Sequence, residues 1–106
     1  MATDVSFLYS TMQSAEEART IGRALVTQRL VACVNIVERI GSLYWWEGKI
    51  NEDSEAMLFA KTKTALVKDV ITAIKSLHSY SCPCIVAVPI TDGNEDFLSW
   101  VRRETR

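Results

Sequence analysis

The sequence has no apolar run close to the roughly 20 residues that a membrane-spanning helix requires. Its 12 basic and 13 acidic residues are scattered, with a formal net charge of −1, so no basic stripe is present to neutralise nucleic-acid phosphates. The first residues lack the basic start, apolar run and cleavage site of a signal peptide. These absences predict a cytoplasmic protein whose partners include neither a membrane nor a nucleic acid.

Motifs that carry catalytic chemistry are also absent. There is no glycine-rich phosphate motif, nucleophile elbow or pair of catalytic carboxylates. The loop Met12-Gln13-Ser14 follows the first predicted strand and has no glycine with which to cradle a phosphate. We therefore expect no enzymatic activity and no obligatory cofactor.

The chain has three cysteines, an odd number. Cys33, Cys82 and Cys84 cannot form a complete disulfide framework, so free thiols in a reducing compartment are expected. Cys33 lies inside an apolar segment, which favours a buried, inert thiol.

What is present is the composition of one globular domain, predicted over residues 1–106. Hydrophobic residues make up 48% of the chain and charged residues 24%. Alternating apolar residues and turn residues predict four strands, the second and third joined by a tight turn at Glu47-Gly48. The predicted strands are Val5–Thr11, Leu30–Trp46, Lys49–Lys63 and Pro83–Ile90.

Helical periodicity and capping residues predict three helices. A capping box at Ser14–Glu17 begins a helix that runs to about Arg29. Thr64 is the predicted cap of a second helix that ends at Leu77, and Glu95 lies in the first turn of a short last helix. The predicted inner face of this last helix consists of Phe97, Trp100 and Val101.

The resulting β-α-β-β-α-β order, with an additional C-terminal helix, predicts an α+β fold of the ferredoxin-like class. In this class one antiparallel sheet carries both helices on one face, and right-handed crossovers leave few alternatives. The other face of the sheet is left without helices. The fourth strand is apolar on both sides at Ile85–Val88, which predicts burial on both sides.

The second and third strands form a long hairpin that protrudes from the domain. Because strand residues alternate, Leu43 and Trp45 lie on one side and Tyr44 and Trp46 on the other. A covered aromatic side chain buries roughly 150–250 Å², and a small domain cannot cover both sides of a protruding ribbon. We expect a partner subunit to cover one side of the hairpin; the alternative is that one tryptophan belongs to the core and the other is simply exposed.

Several segments of the chain resemble CutA-type divalent-cation tolerance proteins, in the same order and at the same spacing. The aromatic hairpin and the His-x-Tyr turn are the most specific of them. The matching segments are Arg29–Ile36, Ser42–Ile50, Lys61-Thr62, Leu77–Tyr80, Pro89-Ile90, Gly93-Asn94 and Leu98–Trp100.

The resemblance implies a ferredoxin-like protomer assembled into a tight trimer through its long strands. It also implies a mostly cytoplasmic protein linked to tolerance of copper and other divalent metals, without catalytic activity. The residues that the resemblance places at the trimer interface are Tyr44, Trp45, Trp46 and Trp100. It implies that Tyr44 and Trp46 contact a partner subunit, with Trp45 nearer solvent.

A metal site is one candidate. Some members of this family have a copper site with one thiol and two consecutive histidines, and Ser10, Leu77 and His78 occupy those positions here. Two of the three ligands are therefore missing. Cys82 and Cys84 share one face of an extended strand, and their thiolates, with His78, suit copper or another soft cation in a trimer. The alternative is that both cysteines are small core residues.

A cleft between subunits is the other candidate. The resemblance extends to PII signalling trimers, which bind small effectors between subunits. Lys61, His78 and Tyr80, with Glu55 on the same strand face as Lys61, are the predicted cleft residues. A solvated lysine and a structurally hydrogen-bonded histidine are the alternatives. Two functions thus remain open: a trimer that binds and responds to metal ions, and a PII-like signalling or scaffold trimer that binds a small anion.

Overall fold

The computed structural model describes residues 3–106, which form four strands and three helices in the predicted order. The strands are β1 (Val5–Met12), β2 (Cys33–Trp46), β3 (Lys49–Lys63) and β4 (Ile85–Pro89), and the helices are α1 (Ala15–Thr27), α2 (Val67–Leu77) and α3 (Glu95–Glu104). The strands form one antiparallel sheet in the order β2-β3-β1-β4. No helix in this part of the chain is long and apolar enough to cross a membrane.

The core lies between α1, α2 and one face of the sheet. Leu8, Leu58 and Ala60 project from β1 and β3 and are fully buried, because alternate strand residues share a face. Ile21 and Ile74 of the two helices pack against them. The opposite face of the sheet, which we call the open face, carries the remaining strand residues and has neither α1 nor α2 on it.

The predicted cap of α1 is confirmed, and the helix lies very close to the sheet. Ser14 Oγ accepts a hydrogen bond from the N–H of Glu17 at 3.1 Å. A Cβ atom on Gly22 would lie 2.9 Å from Val34 Cγ2. Glycine at this position therefore lets the helix approach β2 more closely than any other residue would.

The predicted hairpin and its tight turn are confirmed. β2 and β3 pair from Cys33↔Lys61 out to Trp46↔Lys49. Glu47 and Gly48 make the turn with φ angles of 52° and 79°, the left-handed values that short hairpin turns require.

Two predicted boundaries are wrong. The second strand begins at Cys33 rather than Leu30. Leu30 and Val31 are buried in the connection before the strand, so their apolar side chains reflect this burial and not strand pairing. Thr64 does not cap α2, since its Oγ1 forms a 2.8 Å hydrogen bond with Ser6 Oγ and a single 3-10 turn precedes the helix.

Three predictions of burial are wrong, one of them only in part. β4 lies at the edge of the sheet, where the side chain of Val86 is 49% exposed. On α3 the predicted inner face is correct for Val101, which is buried, and for Trp100, which packs against the same cluster, but Leu98 completes this face and Phe97 is 40% exposed. Cys33 is half-buried, because it lies at the start of β2 on the open face, opposite Lys61.

Candidate functional site

The open face of the sheet is rich in aromatic and aliphatic side chains. Phe7 and Tyr9 of β1 pack on Phe59 of β3 with ring centroids 5.9 and 5.5 Å apart. Val86 and Val88 continue this surface onto β4 and are 49% and 40% exposed. Such continuous apolar surface is unusual on a monomer and is typical of an interface.

The hairpin extends the open face beyond the core. Tyr44 and Trp46 pair with Asn51 and Lys49, which share the open face with Glu55 by strand alternation. Tyr44 is 40% exposed and Trp46 is 47% exposed. The opposite side of the hairpin carries more exposed residues, namely Leu43 (70%), Trp45 (71%) and Ile50 (63%). The predicted division of the aromatic residues between two sides is confirmed.

A cavity of about 470 Å³ lies where the hairpin joins the domain, at one end of the open face. Its volume is within the usual range of small-molecule sites. The aromatic and acidic side chains of its wall are Tyr9, Tyr44, Trp46, Tyr80 and Glu55, and Cys82 and Cys84 complete its edge beside small hydroxyl residues. Among residues 3–106, the wall contains no lysine, arginine or histidine.

Glu55 is the charged group of this cavity, and only 9% of it is exposed. Its Oε2 accepts a 2.8 Å hydrogen bond from the Tyr80 hydroxyl. Burial, followed by this hydrogen bond, raises the pKa of Tyr80 well above the ordinary value. Burial and the nearby charge of Glu55 also raise the pKa of Cys84, while burial, Cys84 and Glu55 together raise the pKa of Tyr9. The wall therefore holds its phenols and the Cys84 thiol in their neutral forms.

His78 lies behind this wall at the end of α2. Its side chain is fully buried, and Nε2 is 2.8 Å from the carbonyl oxygen of Thr11. Nδ1 accepts the N–H of Tyr80 at 3.1 Å, which identifies Nε2 as the protonated nitrogen. Both nitrogens are thus engaged in structural hydrogen bonds, and a metal ion would have to displace one of them.

Glu17 fixes the turn that carries His78 and Tyr80. Its carboxylate accepts the N–H and the hydroxyl of Ser79 at 2.8 and 3.0 Å, and also the N–H of Gln13 at 3.2 Å. Burial alone would raise the pKa of Glu17, but these hydrogen bonds outweigh it, so the pKa lies below the ordinary value. In the sequence, Glu17 is recognisable only as part of a capping box, because a contact between distant segments leaves no local pattern.

The predicted cleft residues fall into separate places within one chain. Glu55 and Tyr80 are hydrogen-bonded, and the His78 ring packs at a tilt against the Tyr80 ring with centroids 4.8 Å apart. Lys61 lies six residues along β3 from Glu55, about 20 Å away at strand rise, and its Nζ donates to Asn35 Oδ1. A cleft that combines Lys61 with the other three residues would need more than one subunit.

The predicted metal ligands do not fit a metal centre within one chain. Cys82 and Cys84 are exposed and line the cavity, whereas His78 is buried behind it. In residues 3–106, no group of three or more histidine, cysteine, aspartate or glutamate side chains is arranged to hold a metal ion. Ser10, at the position of the thiol in some relatives, has its Oγ buried without a hydrogen-bond partner in the same part of the chain.

An α+β protomer with a four-stranded antiparallel sheet, a bare apolar face and a protruding hairpin defines the class to which this chain belongs. Its family follows from comparison with known proteins. The family model of the CutA1 divalent ion tolerance protein matches residues 6–104, and the chain therefore belongs to the CutA1 family. This description names tolerance of divalent ions and no catalysed reaction.

Curated relatives match most of the chain. It is 47% identical over 95 residues to the divalent-cation tolerance protein CutA of Thermus thermophilus, a match that covers 90% of this chain and 92% of that protein. It is 41% identical over 101 residues to protein CutA of Homo sapiens, covering 95% of this chain but 56% of the human protein. The chain thus spans little more than half of its human relative.

Solved structures of relatives have the same fold. CutA from Xylella fastidiosa matches with a TM-score of 0.95 at 36% identity, over 98% of this chain and all of that one. The periplasmic divalent cation tolerance protein CutA from Archaeoglobus fulgidus matches with a TM-score of 0.93 at 40% identity, over 96% and 99% of the two chains. Because that relative is described as periplasmic, the cytoplasmic location of this chain stays a prediction.

Proposed function

We propose that this protein acts as a homotrimer in the response to divalent cations such as copper, and that the trimer binds the metal. The observation that carries the proposal is the open face, whose apolar and aromatic side chains continue along the hairpin through Tyr44 and Trp46. The edge strand β4 adds unpaired backbone groups to this surface, and such edges pair readily with other strands. A second and third copy of the chain would cover both features.

We also assign the protomer to the ferredoxin-like class and the protein to the cytoplasm. The strand order β2-β3-β1-β4 and the two β-α-β halves support the first assignment. Three thiols that are not joined by disulfides support the second.

The proposed metal contacts are the thiols of Cys82 and Cys84, which are exposed at the edge of the cavity. Thiolates are soft ligands that suit cuprous copper and zinc. Since residues 3–106 of one chain hold no complete set of ligands, the site requires thiols from more than one subunit. His78 can be a ligand only if one of its hydrogen bonds opens.

Native mass spectrometry of the reduced protein, with and without cuprous copper or zinc, tests assembly and metal binding together. We expect a trimer that takes up metal, and a C82S/C84S double variant that stays trimeric but takes up none. Cys33→Ser is the matched control, because Cys33 lies far along the sheet, opposite Lys61. A monomer would overturn the trimer, and equal metal uptake by the double variant would overturn the proposed ligands.

The second candidate function is a PII-like signalling or scaffold trimer without a direct metal role. The preformed cavity favours it, because it needs no metal ligands. In this case a small anion would bind between subunits, with Lys61 of one chain facing His78, Tyr80 and Glu55 of another. Titration with phosphate, carboxylates and nucleotides, followed by NMR of His78, tests this function; unchanged His78 signals throughout would contradict it.

A further inference from the structure

The charge of the cavity wall is the starting point of the inference. Glu55 is the one acidic residue of its wall within residues 3–106, and Asp53, on the same face of β3, accepts the Tyr44 hydroxyl at its rim. Burial and the neighbouring carboxylates raise the pKa values of Tyr80, Cys84 and Tyr9, which favours the neutral forms of these three groups. The cavity is therefore electrostatically negative and unfavourable to an anion.

One acceptor in this cavity is left free. Tyr80 occupies Glu55 Oε2, and no donor within residues 3–106 reaches Oε1. Oε1 is nevertheless not sealed from solvent. Since Glu55 is about nine-tenths buried and lines the cavity, its free oxygen is accessible from the cavity. A carboxylate oxygen in this position is a strong acceptor for a charged N–H donor.

The aromatic wall supplies the second element of recognition. Tyr9 comes from β1, Tyr44 and Trp46 come from β2, and Tyr80 comes from the turn after α2; their rings line one space. Aromatic faces attract organic cations and also cover apolar carbon. A carboxylate surrounded by rings thus fits a ligand with a positive nitrogen and an apolar body, whereas a bare metal ion would gain nothing from most of the wall.

We propose that this cavity binds a small organic ammonium ion, whose N–H group donates to Glu55 and whose apolar body packs on the tyrosine and tryptophan rings. The site is independent of the metal contacts proposed above, which use the thiols at its edge. It also differs from the anion-binding cleft in the sign of the ligand charge. The proposed trimer covers the open face around this cavity, so the ligand would bind between subunits and the intact protein is the one to test.

Three probes of nearly equal shape separate the alternatives: 2-phenylethylamine as the cation, 2-phenylethanol as the neutral analogue and 3-phenylpropionate as the anion. Calorimetric titration at constant ionic strength should show binding of the amine, weaker binding of the alcohol and none of the carboxylate. The indole N–H signal of Trp46 should shift with the amine while that of Trp100, on α3, stays in place. Preferential binding of the carboxylate, or no binding of the amine, would overturn the proposal.

Two variants, Glu55→Gln and Glu52→Gln, test whether Glu55 binds the ammonium group. Glu55→Gln keeps the shape but removes the charge and should weaken amine binding about tenfold or more, since hydrogen bonds to charged groups are the strong ones. Glu52→Gln removes one charge from the opposite side of the same strand and should leave the affinity unchanged. Equal losses in both variants would mean a general attraction to a negative surface and would overturn the site.

The oligomeric state of each variant is recorded in the same samples by native mass spectrometry. If the protein is monomeric and still binds the amine, the proposed trimer fails and the ammonium site stands. If it is trimeric and binds only the carboxylate, the ammonium site fails and the anionic effector is supported.

Discussion

Glu17 joins the start of α1 to the turn after α2, across 62 positions of the chain. Its hydrogen bonds to Ser79 hold the turn that contains His78 and Tyr80, and they thereby position both side chains. Tyr80 then orients Glu55 in the cavity. One carboxylate at a helix terminus therefore positions the acidic group of the cavity through a chain of hydrogen bonds.

Glu17→Gln should lower the free energy of unfolding by about 1–2 kcal/mol at neutral pH, because hydrogen bonds to a carboxylate are stronger than those to an amide. The pKa of Glu17 is lowered in the folded protein. Its stabilising contribution is therefore fully present above the unfolded pKa of about 4.5 and is lost as the pH falls through the lower, folded pKa. Denaturant unfolding across this range should show the difference between variant and wild type shrinking in acid.

Glu16→Gln is the matched control, since Glu16 lies beside Glu17 in the first turn of α1 but is exposed. It should change stability by only a few tenths of a kcal/mol through the helix dipole. A loss as large as that of Glu17→Gln would show that the hydrogen bonds to Ser79 contribute little.

At the scale of the element, the hairpin depends on the backbone of its turn. Gly48 has a φ of +79°, and a residue with a side chain pays roughly 1–2 kcal/mol to adopt left-handed backbone values. Gly48→Ala should therefore loosen the hairpin end, which we expect to see as faster amide hydrogen exchange around residues 44–51 with little change in global unfolding.

Gly41→Ala provides the comparison for this prediction. Gly41 lies in the same hairpin, its φ is not in the left-handed region, and no atom lies within 4 Å of where its Cβ would be. Hydrogen exchange should remain as in the wild type or become slower, because alanine restricts the unfolded chain. Faster exchange in both variants would show that the turn conformation is not what stabilises the hairpin.

The elements that could be predicted from the sequence are those whose pattern reflects contacts within one chain. The alternation at Ala56, Leu58 and Ala60 places β3 correctly, since these residues meet the helices. Val86 and Val88 carry the same apolar signal but remain about half exposed. Their pattern is typical of a covered strand, but residues 3–106 do not supply a surface that covers them.

The candidate site was predictable only in part, because it joins segments far apart in sequence. The family resemblance identified His78 and Tyr80 as candidates, and strand alternation from Lys61 added Glu55. Neither predicted the hydrogen bond between Glu55 and Tyr80 over 25 positions. Periodicity carries no information on such pairs. It also could not separate Lys61 from Glu55, since the two residues share a strand face and differ only in distance along it.

At the scale of the whole molecule, the two sides of the hairpin have unequal roles. Trp46 lies on the open face and is 47% exposed, whereas Trp45 lies on the other side and is 71% exposed. The open face continues onto β1 and β4, so a subunit that covers it would contact Trp46 and a large apolar surface together. On its side of the hairpin, Trp45 is paired with Ile50 and has Leu43 as its neighbour along β2.

Trp46→Ala should therefore weaken the proposed trimer by about 2 kcal/mol or more, the usual effect of truncating an aromatic residue at the centre of an interface. Trp45→Ala removes the same side chain one residue away and should weaken it much less. Sedimentation over a dilution series measures both variants under the same conditions, and circular dichroism checks that each keeps its sheet. If Trp45→Ala dissociates the assembly more readily than Trp46→Ala does, subunits meet through the other side of the hairpin and the open face is not the interface.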